Sequence, residues 1–198
     1  GDPREDGNLR WEMLPEPALD LPNSTDGYRL PLDVLVLDQR WAPRVTGTLQ
    51  RAFEILEQCD IVAGDLSVRV FEGADYLRDL STGSAKTLLG DTPTELARVV
   101  FARDTRMQEP YPGESFGIAN TRKRPWLANS VWLTLDVDDP GIALAHELYH
   151  VLANDGTHVE GVANLMQGNT RPDATTLTGE QCLKARLNAL ERGLVNSI

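Results

Sequence analysis

The stretch His146-Glu-Leu-Tyr-His150, continued by Val-Leu-Ala-Asn-Asp-Gly-Thr-His158, decides how the rest of the chain is read. All 3 histidines of the 198-residue chain fall inside it, although nothing about packing requires histidines to cluster. Two histidines four apart on a helix leave the same face one turn apart, so their imidazoles can converge on one ion. Glu147 then stands beside that ion but out of the ligand line, where a carboxylate can deprotonate a metal-activated water. The cofactor expected of such a pattern is zinc (Zn2+).

The flanks favour a buried helix. Asp139 is expected to cap its first turn and Pro140 to occupy its first position, while Ile142, Leu144, Ala145, Leu148, Val151 and Leu152 make it largely apolar. Asn154-Asp-Gly156 is a turn signal, with Gly156 expected to take the left-handed conformation that ends the helix. A catalytic zinc keeps three protein ligands and one open position, so a third ligand has to arrive after that turn. His158 is the nearest candidate, with Glu160 and the more distant Glu180 as alternatives. Asp155 reads as a turn residue.

Composition sets the limits. With 41% hydrophobic and 25% charged residues the chain has the make-up of an ordinary globular domain, long enough for one core. The 19 basic and 30 acidic residues give a net charge of −11, which argues against nucleic acid or an anionic membrane as partner. No apolar run approaches a membrane span. The first residue is Gly1, so a processed or truncated product is expected, its targeting segment out of view. Cys59 and Cys182 either pair, tying an early helix to the last one in an oxidising compartment, or are two buried thiols. The residues leave both open.

Residues 1–28 are rich in Pro, Asp, Asn and Gly and read as an extended arm, leaving 29–198 as one catalytic domain. Leu32–Leu37 suits a first strand, and Arg44–Gln58 carries Val45, Leu49, Phe53 and Leu56 at helical spacing. Leu66–Phe71 alternates as a strand. Gly73–Thr94 reads as loop with a short helix around Asp75–Leu80, and Ala97–Ala102 as a third strand. Arg103–Gly113 should be loop, Ser115–Asn120 a short edge strand, and Ser130–Leu135 a strand leading into the histidine helix. Thr121-Arg-Lys-Arg-Pro125 is the only basic cluster and reads as a solvated loop tip. Thr178-Gly-Glu-Gln181 has the form of a capping box, opening a last helix with Leu183, Leu187, Leu190 and Leu194 on one side.

From Asp139 to Met166 the sequence resembles the metzincin clan of zinc metallopeptidases, particularly its compact secreted bacterial, matrixin-like members. The clan pattern is HExxHxxGxxH followed by a turn with a methionine below the metal. Here HELYHVLANDGTH is followed by Val162-Ala-Asn-Leu-Met166, so His146, Glu147, His150 and Met166 match by position. Met166 is apolar support in either of its readings, the clan's turn or a core gap-filler. The sequence departs from the pattern in placing Ala153 where the clan has glycine, and Gly156 and His158 come late; a helix about one turn longer is expected. The resemblance implies a single α+β zincin-like domain with a mixed twisted sheet, a packing helix, a zinc-binding helix and a C-terminal helix. It also implies a monomeric, secreted or otherwise extracytoplasmic endopeptidase acting on protein or peptide, with His146, His150 and His158 on zinc and Glu147 as general base. The alternative is a non-catalytic zinc- or partner-binding protein with a vestigial site.

Overall fold

The computed structural model describes residues 10–21, 26–71, 84–105, 113–161 and 163–198. Its centre is a seven-stranded mixed sheet ordered β1-β3-β2-β4-β6-β5, with a short β7 beside β2. The strands are β1 (Trp11–Leu14), β2 (Tyr28–Val36), β3 (Ile61–Phe71), β4 (Ala97–Ala102), β5 (Ser115–Ile118), β6 (Ser130–Thr134) and β7 (Asn196–Ser197). β3, β2, β4 and β6 run parallel to one another, whereas the two edge strands β1 and β5 and the short β7 pair antiparallel with their neighbours.

Both faces of the inner strands are covered, and the side chains divide with the two-residue period of a strand. Leu32, Val34, Val99, Phe101, Val131 and Leu133 join the larger core. Leu35, Val100, Ala102 and Trp132 point to the smaller one on the other face. That double burial explains why Ala97–Ala102 and Ser130–Leu135 are legible as strands from their apolar runs. Helices α1 (Val45–Leu56) and α3 (Pro140–Ala153) pack into the larger core, α2 (Ser84–Asp91) into the smaller, and α4 (Gly179–Glu191) closes over α3.

Charge is also buried between strands. Asp33 accepts from Arg69 at 2.8 Å and from Arg98 at 3.1 Å, each cation lying on the strand beside its own. Removing either partner of such a group leaves an uncompensated charge, which costs far more than the pair itself contributes.

Several expectations are corrected. α2 occupies part of the stretch read as loop; its apolar Ala85, Leu88 and Leu89 recur at helical spacing, but eight residues give too short a signal. The short helix expected around Asp75–Leu80 lies outside the described residues. Asp139 flanks α3 without a side-chain capping bond, because its own backbone is left-handed at φ 44°. The helix ends at Ala153, and Asn154, not Gly156, takes the left-handed conformation at φ 51°, as Asn tolerates. α3 is therefore no turn longer than the clan pattern requires. The residues between the second and third histidines, 151 to 157, number seven against five in the pattern, and the extra pair lies in the bend.

The last helix also differs in the face it buries. Its capping box is present, with Gln181 N donating to Thr178 Oγ1 and Thr178 N to Gln181 Oε1. Yet Leu183, Leu187 and Leu190 are 48%, 55% and 42% exposed, and Cys182, Ala185 and Ala189 are buried instead. Small residues let α4 approach α3 closely, and a disulfide between Cys59 and Cys182 pins that face. Arg192 just beyond α4 donates to the carbonyls of Val151 and Leu152 in the last turn of α3, where the helix dipole favours a cation.

Candidate metal centre

α3 carries His146 and His150 one turn apart and buries nearly its whole length, so both rings are held inside the protein. His146 Nδ1 lies 2.7 Å from the carbonyl oxygen of Leu165, and His150 Nδ1 lies 2.6 Å from that of Asp155. A carbonyl can only accept, so in each neutral ring the proton sits on Nδ1 and the lone pair on Nε2. Chain reversal after Asn154 then brings His158 to the same place. The three Nε2 atoms stand 3.1, 3.2 and 3.3 Å apart.

At least two of these atoms present lone pairs to each other, which is unfavourable without a cation between them. Burial and the neighbouring imidazoles push the His146 pKa down to about 4 and lower that of His150, so neither of these two buried rings readily takes a proton in place of an ion. A tetrahedral ion at roughly 2.0–2.1 Å from each nitrogen requires nitrogen separations of about 3.3–3.4 Å, close to those found. Among the described residues these three histidines form a group that could hold a metal ion, two of them buried and one exposed. The exposed member leaves one side of the site open.

The supports of the three rings come from different elements. Asp155 shapes the bend: its carboxylate accepts from Thr157 N at 2.9 Å, from Thr157 Oγ1 at 2.7 Å and from Lys184 Nζ at 2.5 Å. Those bonds hold its carboxyl well below the usual carboxylate range. Leu165 belongs to a turn fixed by Asn164, whose Oδ1 accepts from Met166 N and from Gln181 Nε2 of the capping box. Met166 itself is 1% exposed and packs in the larger core. Its carbonyl accepts from Val159 N beside His158, so the turn and the bend are joined.

Glu147 is buried, with Oε1 3.9 Å from both His146 Nε2 and His150 Nε2, outside bonding distance of an ion among them but adjacent to it. Burial pushes its pKa up to about 7, partly opposed by a hydrogen bond with Ser115 of β5. β5 crosses α3 at this point so closely that a Cβ on Gly117 would fall 2.2 Å from the Glu147 carbonyl oxygen. A cavity of about 590 Å³ opens over the site, lined by Ser115, Phe116, His146, Glu147, His150 and His158.

Gly156 also lines this cavity, and a Cβ there would meet nothing within 4 Å. Glu160 faces a different cavity with Tyr149, Glu180 and Lys184, and neither it nor Glu180 joins the histidines. Sequence reasoning missed the carbonyls of Leu165 and Asp155, because a backbone acceptor has no residue signature. It also missed Ser115, a lone serine on a short strand.

No family profile matches the chain, and no curated protein matches it. Among solved structures, metalloproteinase-II from Bacteroides fragilis superposes with a TM-score of 0.52 at 15% identity, over 93% of this chain and 60% of that one. The chain thus spans about three fifths of the length of that protein, and the two share a fold.

Proposed function

We propose that the chain is a zinc-dependent endopeptidase, metzincin-like, in which His146, His150 and His158 hold the ion and Glu147 is the general base. One observation carries this reading: three imidazole nitrogens converge at 3.1–3.3 Å with a buried carboxylate 3.9 Å from two of them, at the floor of an open cavity. A structural zinc site is closed by a fourth protein ligand, whereas a catalytic one keeps a place for water. The carboxylates nearest in sequence are engaged elsewhere, Asp155 with Lys184 and Thr157, and Glu160 in the neighbouring cavity.

When bound, zinc acidifies water and polarises a carbonyl oxygen. The chain's own groups do the rest. Glu147, whose Oε1 stands 3.9 Å from two of the imidazole nitrogens, would take the proton of the attacking water on Oε1 and pass it to the leaving amine nitrogen. Ser115 orients that carboxylate. β5, at the edge of the sheet beside the cavity, offers backbone groups to an extended peptide. Met166 supports the bend from below, and a secreted or extracytoplasmic setting accords with the Cys59–Cys182 disulfide. No helix among the described residues is long and apolar enough to cross a membrane.

The test is cleavage of a quenched peptide library by the metal-loaded protein. Activity abolished by a chelator and restored by stoichiometric zinc is expected. Zinc uptake without cleavage of any peptide would instead favour the non-catalytic zinc-binding alternative.

A further inference from the structure

The basic loop that follows β5 is not a detached surface feature. β5 ends at Ile118, and the chain passes through Arg122, Lys123 and Arg124 before the short helical turn Pro125–Leu127. In a protein of net charge −11 these three consecutive cations stand out. Among the described residues, none of the three side chains makes an ion pair. Lys123 and Arg124 line a cavity of about 600 Å³ together with Ser115, Phe116 and Ile118. Ser115 and Phe116 also line the cavity over the histidines, so the two depressions adjoin along β5.

The two depressions differ in charge. Asp138 and Val137 line the histidine cavity away from the loop, while Lys123 and Arg124 line the far depression. Glu114 also borders this depression, its Oε1 accepting from the Thr105 hydroxyl, so two cations face one carboxylate there. A strand advances about 3.3 Å per residue, so the step from Ser115, at Glu147, to Ile118, at the loop, is roughly 10 Å. An extended segment laid along β5 therefore brings the side chain two to three residues from the metal within reach of these flexible cations.

We propose that the extended segment entering this groove carries an acidic side chain two to three residues from the scissile bond, seated against Lys123 and Arg124. This deepens the endopeptidase reading above and rests on it for the word scissile, whereas the docking of an acidic segment can be tested without turnover. The expected gain is about threefold to tenfold, the scale of one or two partly screened ion pairs.

The experiment compares quenched peptides that differ only in Glu, Gln or Lys at the second and third positions on either side of the cleaved bond. It uses the zinc-loaded chain, the Lys123→Ala/Arg124→Ala double variant, and zinc-loaded Glu147→Ala for binding alone. Glu over Gln by about threefold to tenfold on one side of the bond is expected, through KM more than kcat, diminishing in high salt. The double variant should lose the preference and leave the Gln peptide's turnover unchanged. Equal turnover of Glu and Gln peptides, or a preference that survives in the double variant, overturns the proposal while the endopeptidase reading stands. If nothing is cleaved but Glu147→Ala binds the Glu peptide more tightly than the Gln peptide, the endopeptidase reading fails and acidic docking is upheld. Absence of both cleavage and charge-dependent binding overturns both.

Discussion

Lys184 on the last helix grips the Asp155 carboxylate at 2.5 Å while the carbonyl of the same Asp155 accepts from His150 Nδ1 at 2.6 Å. One residue thus orients an imidazole with its backbone and shapes the bend toward His158 with its side chain. The C-terminal helix is thereby coupled to the candidate metal site although it carries none of the three histidines. Partners of this kind restrict ring orientation, and their loss typically costs a metal site a measurable part of its affinity.

Lys184→Ala should weaken zinc binding by about threefold to tenfold, measured by competition with a chromophoric chelator. Because the pair is partly exposed, its loss should cost no more than about 1 kcal/mol of fold stability. Zinc affinity equal to that of the unaltered chain would detach α4 from the site.

His158→Ala and Glu160→Ala separate the ligand from its charged neighbour. The first should loosen zinc by about a hundredfold or more, since it removes one of three ligands. The second should leave affinity within a factor of two or so, because Glu160 faces another cavity. The reverse ranking would move the third ligand.

Glu147 gives a pH signature in the metal-free protein. Its pKa is raised in the folded state from 4.5 to about 7, so the folded protein binds more protons than the unfolded chain across that window. Its stabilising contribution is therefore intact below about pH 4.5 and lost as the pH rises through 7. The loss approaches about 3 kcal/mol. His146, lowered from 6.5 to about 4, acts in the opposite sense: it favours folding above pH 6.5, and that advantage disappears on acidification. Glu147→Gln should accordingly stabilise the metal-free protein more at pH 8 than at pH 4.5, read from urea midpoints. A difference of the opposite sign would remove the buried ionisable carboxyl from the account.

The Cys59–Cys182 bond spans 123 residues of chain. Closing so long a loop in the unfolded chain contributes about 4–5 kcal/mol by the entropic account, with 2–5 kcal/mol usual in practice. Replacing both cysteines by alanine should lower stability by that order and loosen the α3–α4 contact on which Arg192 and Lys184 depend. An unchanged melting temperature would contradict this.

Much of this arrangement was legible because a period or a chemical pattern announced it. Ala97–Ala102 and Ser130–Leu135 read as strands from apolar runs, and the Thr178 capping box announced α4. The histidine spacing announced a convergence on one point, and the three rings do converge. What escaped depended on tertiary context. The leucines of α4 have helical spacing but face outward, because alanines and a cystine let two helices meet more closely than leucines would. Asn154 took the left-handed turn before Gly156 could. The carbonyls that orient His146 and His150 are invisible to any residue pattern.

Three imidazoles sharing one ion, with a position left for solvent, are what the proposed chemistry requires. X-ray absorption on the purified, zinc-loaded chain, with its metal content measured alongside, tests this most directly. One zinc per chain is predicted, with three imidazole nitrogens and one water oxygen at about 2.0–2.1 Å. A chain that takes up no zinc, or a spectrum requiring only two imidazoles, would contradict it.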